Sequence, residues 1–324
     1  MIATPAVLDL SATELPATTT GALRSFRHSV PKGRLFELAK HKRWIFVSAA
    51  TESLFIGGAV VDLGYLSKAF VYVAEKKSGR MIAHTTSLMP PGPWCKVERN
   101  EKKQSTSLFR SPALNLRILR TSIGAYALRA KASGLHVDVM LDPRCEPIVA
   151  SNLLTDGGTS ITEKGLSLHA RGTVTVKSEM FDISHALGGT DFTDGYLPRH
   201  TRWKWANVSG RTDGHIIGVN LVQGFMGESE CTISIDREMQ RVGEGVFSVP
   251  ADPLQPWQVR SKCGRVDLAF QPVALHTENL DLRVLHSKFL QPVGIFSGTV
   301  QSNDGRTLQV RDMLGVCEDQ DVLW

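Results

Sequence analysis

Residues 191–206, DFTDGYLPRHTRWKWA, bring two aspartates, a histidine, three cationic side chains and several aromatic rings into sixteen positions. A carboxyl held against apolar walls has its ionised form disfavoured and can serve as a general acid towards a carbon–carbon double bond. Asp191 is the candidate for that role, with Tyr196 and His200 as further candidate proton-transfer groups. Asp194 stands directly before Gly195, where an aspartate more commonly caps or turns the backbone. Read as a strand, RHTRWKWA places Thr201, Trp203 and Trp205 on one face and His200, Arg202 and Lys204 on the other. Burial statistics favour tryptophans in a core and cations in solvent. The functional alternative is that one face lines a cavity, as an aromatic wall or as a cationic one. Ring faces stabilise a carbocation by about 0.5–2 kcal/mol each, and protonating an alkene creates such a cation.

His185, His200 and His215 are evenly spaced, too far apart in sequence for one element to present two metal ligands. There is no nucleophile elbow and no phosphate-binding glycine loop, and the glycines of GGTDFTDGY lack dinucleotide spacing. No metal and no cofactor is therefore expected. Asn220, inside the apolar run GVNLVQG, either bonds a neighbouring backbone group or touches a ligand. His185, Arg202, Trp203, Trp205, Asn220 and Glu230 complete the candidate ligand-binding set.

These residues must be positioned by strands. LNLRILR, LHVDVML, GTVTVKSE, RVDLAFQ and LDLRVLH alternate with period two, and WIFVSAA, LFIGGAVV, AFVYVA and HIIGVNLV are short, β-branched or aromatic runs bounded by turn formers. Helical periodicity is confined to PKGRLFELAKHK near residue 31 and EMFDISHAL at 179–187. Two stretches read alike, KASGLHVDVMLDP and SKCGRVDLAFQP, followed in both by a GTV strand and a leucine-glycine segment, at offsets of 126 to 129 residues. Asp138 and Asp267 match in this repeat, which gives them a structural duty common to both copies. Glu318 and Asp319 echo the acidic segment at 191, but no basic-aromatic strand follows them. The expected fold is all-β: two tandem antiparallel barrels or sandwiches, one over residues 31–190 and one over 191–324, after a poorly ordered tail at 1–30.

The chain has 324 residues, 42% hydrophobic and 21% charged, with a net charge of +5 spread along its length. That distribution disfavours nucleic acid as a partner. Five scattered cysteines without a C-x-x-C pair fit free thiols in a reducing compartment. The start lacks a signal-peptide pattern and no run is apolar enough to span a bilayer, so a cytoplasmic protein without a membrane span is expected. No oligomeric state follows from the sequence.

HKRWIFVSAATESLFIGGAVVDLGY, FTDGYLPRHTRWKWA, GVNLVQGF, GRVDLAFQP and FLQPVGIFSGTV, with MLGVCED and the final LW, recur in order from about 31 to 324 and resemble the bacterial domain-of-unknown-function family 2804. That family is distantly similar to the carotenoid 1,2-hydratase and AttH-like group of double-lipocalin proteins, and to tocopherol cyclases and fungal Diels–Alder cyclases. After NLVQGF the family carries an acidic-Asn-hydrophobic segment. Here the stretch is ESECTISID, with Glu230 at the acidic position. The resemblance implies a hydrophobic ligand in a β-barrel cavity, handled either by a cofactor-free hydratase, isomerase or cyclase or by a noncatalytic carrier. An interaction module using the basic-aromatic strand is the third reading.

Overall fold

The computed structural model describes residues 40–98, 104–154, 158–282 and 285–324. Two antiparallel sheets account for nearly all of them. The first holds β1 (His41–Ala50), β2 (Leu54–Asp62), β3 (Ser67–Glu75), β4 (Arg80–Met89), β5 (Cys95–Lys96), β6 (Ser105–Arg110), β7 (Leu114–Arg120), β8 (Tyr126–Ala132), β9 (Leu135–Asp142), β10 (Ile148–Leu153), β11 (Thr159–Val176), β12 (Glu179–Asp182) and β13 (Ala186–Tyr196). The second holds β14 (His200–Thr212), β15 (His215–Gly224), β16 (Thr232–Ile235), β17 (Glu238–Arg241), β18 (Gly245–Ser248), β19 (Trp257–Ser261), β20 (Val266–Leu282), β21 (Leu285–Gln301) and β22 (Thr307–Leu323).

In each sheet the first strand pairs with the last. The first sheet runs β4, β3, β2, β1, β13, β11, β9, β8, β7, β6, β5, and the second β17, β16, β15, β14, β22, β21, β20, β19, β18. Each curls so that β2 comes against β5, β6 and β7, and β15 against β18. These are half-barrels whose edge strands, among the described residues, do not pair with each other.

The near-continuous apolar runs of β1, β2 and β3 follow from burial on both faces. Ile45, Val47, Ile56, Val60, Val71 and Val73 point into the core of the first half-barrel. Phe46, Phe55, Ala59, Phe70 and Tyr72, from the same strands, enter a second core built mainly by the second sheet. The outer wall of one half-barrel is thus the floor of the other.

The repeat is visible in the geometry. Gly172 and Gly298, with φ of 134° and 144°, each press against a neighbouring strand: a Cβ would stand 2.1 Å from the Asp138 carbonyl oxygen and 2.2 Å from that of Asp267. Beside them, Arg129 bonds Asp138 at 3.1 Å and Arg260 bonds Asp267 at 2.8 Å, in both copies as cross-strand partners.

Two expectations are corrected. EMFDISHAL is no helix: Glu179–Asp182 pairs with Thr173–Val176 as a short hairpin after Lys177, whose φ is 57°, and β13 begins at Ala186. The apolar spacing of so short a segment fits either period, and an available strand partner decides it. DFTDGY is not a turn but the second half of β13. Gly189 there makes room for the second sheet, since a Cβ would lie 2.5 Å from Asn207 Oδ1. The chain crosses between sheets after Tyr196. Of the other expected helix, residues 31–39 lie outside the described residues, and His41 and Lys42 open β1.

Candidate functional site

Between the sheets lies a cavity of about 340 Å³, within the usual range for small-molecule sites. Its walls are Trp44, Phe46 and Phe70 from the first sheet and Trp203, Trp205 and Phe289 from the second, and its mouth opens past the exposed side chains of Leu88 and Leu280. Besides Glu278, two carboxyls on facing sheets, Asp191 and Glu318, reach it.

Both carboxyls arise from the same position of the duplicated unit. Asp191 of β13 stands opposite Phe46 of β1, and Glu318 of β22 stands opposite Trp205 of β14. Three residues on, Asp194 bonds His41 at 2.6 Å and Asp321 bonds His200 at 2.8 Å. The residues facing them from the adjacent strand differ. Lys164 of β11 pairs in register with Asp191, and its Nζ donates to Asp191 Oδ1 at 2.6 Å while lying 2.9 Å from Glu230 Oε2. In the second copy the cation is replaced by an amide: Gln291 Nε2 donates to Glu318 Oε2 at 3.0 Å.

Electrostatics follow from these neighbours. Burial alone would lower the Lys164 pKa, but the charges of Asp191 and Glu230 raise it above its ordinary value. Burial raises Glu230, which Lys164 only partly offsets because one ammonium serves two carboxyls. Among the described residues no cation forms an ion pair with Glu318, and the charge of Lys164 lowers its pKa only as a minor cause. Burial pushes its carboxyl up to about 7, against the hydrogen bonds from Gln291 and Trp203 and with the charge of Asp191 adding to the rise. Trp203 Nε1 donates to Glu318 Oε1 at 2.7 Å, and the fully buried Tyr72 donates to Gln291 Oε1 at 2.8 Å. Tyr72, Gln291, Glu318 and Trp203 therefore form one chain of bonds that begins on the first sheet and fixes both oxygens of Glu318.

Lys68 and Glu278 form an ion pair elsewhere on the cavity wall. Burial would raise the Glu278 carboxyl, but His276 and Lys68 draw it down to about 2.

Trp203 and Trp205 line the cavity and Asp191 reaches it, so the aromatic face of β14 is the inner one. Asn220 is fully buried just behind: it accepts from Trp205 Nε1 at 2.8 Å and donates to the Glu230 carbonyl oxygen at 2.8 Å. Glu230 is buried with Lys164. The remaining candidates lie elsewhere. His200 and Arg202 are on the outer face of β14, both paired with Asp321. Lys204 stands 3.8 Å from Asp319, so this face is charge-compensated rather than a free cationic surface. Tyr196 stacks on His41 with ring centroids 4.6 Å apart, away from the cavity wall. His185 is exposed, and its carbonyl accepts from Arg211. The period-two pattern separates faces correctly, but it cannot tell which residues of a turn or strand end reach a cavity made by a second sheet.

Lys164, Gln291, Tyr72 and Trp44 carry no local motif, and Glu318 stands out in sequence only as an echo. A signal for the pairing exists: HKRW at 41–44 repeats as HTRW at 200–203, which aligns Trp44 with Trp203.

Two half-barrels of this topology, sharing an aromatic cavity, define an all-β protein of the double-lipocalin-like class. Its sequence matches the model of the domain of unknown function DUF2804 over residues 18–324, and the chain belongs to that family. No curated protein sequence matches it significantly. Among solved structures, the chain is similar to an AttH-like protein of Nitrosomonas europaea, with a TM-score of 0.57 and 12% identity over 86% of this chain and 92% of the other. It is also similar to kievitone hydratase from Nectria haematococca, with a TM-score of 0.52 and 10% identity over 87% of this chain and 88% of the other. At these identities the likeness is one of fold. Among the described residues no helix is long and apolar enough to cross a membrane.

Proposed function

We propose that the protein binds an apolar isoprenoid-, polyketide- or acyl-like molecule between its sheets and, without a cofactor, protonates a carbon–carbon double bond in it, as a hydratase, isomerase or cyclase does. One observation carries this reading: a buried carboxyl, Glu318, lines a largely apolar cavity with only neutral donors bonded to it. Its carboxyl is raised to about 7, so near neutrality a large share of molecules hold the proton that a general acid must give. Trp203, Trp205, Phe46 and Trp44 supply ring faces for the cation that protonation creates. A fold neighbour that is a hydratase supports the reading at the level of architecture. The acid role thus moves from Asp191 to Glu318.

The second reading, a noncatalytic carrier, is favoured by the predominance of apolar side chains on the cavity wall. Mass spectrometry of lipid extracts from the purified protein, followed by incubation of any recovered ligand in deuterated water, separates the two. Deuterium gained at carbon with wild type but not with Glu318→Gln supports the enzyme. A ligand recovered unchanged from both variants leaves the carrier, and an empty extract from a protein that also takes up no apolar probe overturns both.

A further inference from the structure

We propose that Asp191 and Glu318 are two copies of one ancestral cavity carboxyl that have diverged into a coupled acid–base pair, Glu318 giving a proton to the ligand and Asp191 accepting one from water. The inference rests on the acid-catalysed reading above and adds to it a second group, a division of labour and its origin.

The geometry supplies three independent supports. The carboxyls are equivalent by strand register, opposite Phe46 and Trp205 in β1–β13 and β14–β22. The partner from the adjacent strand occupies the same place in both copies but is a cation for Asp191 and a neutral amide for Glu318. Both side chains line one cavity from facing sheets. An ammonium beside one carboxyl and a neutral amide beside the other give two like groups unlike surroundings, the arrangement from which separate acid and base roles are read.

The step balances without any reactant beyond water. The Glu318 O–H bond breaks as its proton bonds to one alkene carbon, leaving the cation on the other. A water oxygen bonds to that carbon while its proton passes to Asp191. The product is the alcohol, Glu318 is left as carboxylate and Asp191 as acid, and exchange with solvent resets both. Loss of a proton from the cation to Asp191 in place of water addition gives the isomerised alkene with the same balance.

Coupling between the two is readable without a ligand, because the Trp203 indole N–H donates to Glu318 Oε1 and reports its charge. The charged groups acting on Glu318 are Asp191 of β13 and Lys164 of β11, with Tyr72 of β3 joined to it through Gln291; Glu230 lies on the far side of Lys164 and His276 pairs in register with Gln291. The full-length chain carrying ¹⁵N-tryptophan is titrated from pH 4.5 to 9, with the Trp203 resonance assigned by its loss in Trp203→Phe. An inflection near pH 7 is expected in the wild type. Asp191→Asn, or Asp191→Ser should the amide variant fold poorly, moves it to lower pH by removing a negative charge. Gln291→Lys copies the Lys164 arrangement into the second site and moves it down by about one to three units. Asp138→Asn, a solvent-facing side chain of β9 outside the cavity lining, leaves it in place. An inflection unmoved by either Asp191 variant, or moved as far by Asp138→Asn, overturns the pair whatever the ligand proves to be. The expected titration without turnover of any recovered ligand keeps the coupling and removes the proposed reaction, so the two failures are distinguishable. Where a recovered alkene is hydrated, undiminished hydration by Asp191→Asn overturns the base role.

Discussion

Trp44 and Trp203 lie face to face, ring centroids 5.8 Å apart and planes within 9° of each other. They are the same residue of the duplicated unit, the tryptophan of HKRW in β1 and of HTRW in β14. Both rings line the cavity, to which each copy thus contributes an aromatic ring and, through Asp191 and Glu318, a carboxyl.

Trp44→Ala removes one of the stacked rings and opens the wall of the cavity. An aromatic pair is worth about 0.5–1.5 kcal/mol beyond its buried area, and 1.4 kcal/mol is a factor of ten in affinity. The neutral fluorescent probe N-phenyl-1-naphthylamine is expected to bind the variant about two- to twelvefold more weakly than the wild type. Equal affinity in a fluorescence titration would place the apolar site elsewhere.

Lys164 is buried between Asp191 and Glu230. Lys164→Met leaves two carboxyls out of water without a cation, and breaking a buried pair in this way costs roughly 3–5 kcal/mol. Urea unfolding should show that loss, and a large part of it should return in the double variant Lys164→Met, Glu230→Gln, which also removes a charge. Additive losses in the double variant would mean that Lys164 and Glu230 do not interact as the 2.9 Å contact indicates.

The folded-state pKa of Glu318, about 7, lies above its unfolded value near 4.5. Between those values the folded state holds a proton that the unfolded chain has released, so stability falls as pH rises from about 4.5 to 7 and levels off above. In total this contribution is on the order of 3–4 kcal/mol. Glu318→Gln cannot titrate, so its stability should lack this decline, whatever constant offset follows from the altered bond to Gln291. Parallel pH–stability curves for the two proteins would show that Glu318 is an ordinary carboxyl.

The fold was legible because its signals are local. Alternating strands such as LHVDVML need only a pleated, half-buried surface, and the Asp138 and Asp267 segments could be aligned by eye because both copies kept a glycine where backbones touch. That Trp203 and Trp205 share one face was equally readable from the period of two, but which face turns inward was not, because the second sheet that makes the cavity decides it. What the sequence does not display is which buried polar groups meet across the sheets. Tyr72 and Gln291 are 219 residues apart, and their bond exists because β3 of one half-barrel is the floor of the other. Glu318 looked like a plain echo of Asp191 because its distinguishing property, an amide where Asp191 has a lysine, belongs to a neighbouring strand.

Gly172 and Gly298 test whether the duplication is a structural requirement or a relic. Each has a φ that side chains rarely adopt, and each would bring a Cβ within 2.2 Å of a backbone carbonyl oxygen that has no freedom to withdraw. Backbone strain of this kind costs about 1–3 kcal/mol, before the clash is counted. Gly172→Ala and Gly298→Ala should therefore each destabilise the chain by roughly 2–4 kcal/mol in urea unfolding. Because the sites lie in different half-barrels and far from the cavity lining, both variants should still bind N-phenyl-1-naphthylamine at a temperature where they remain folded. A loss confined to Gly172→Ala would show that the second half-barrel tolerates a shifted β20–β21 register that the first does not. Two neutral substitutions would mean that the close approach of these strands is not needed for folding.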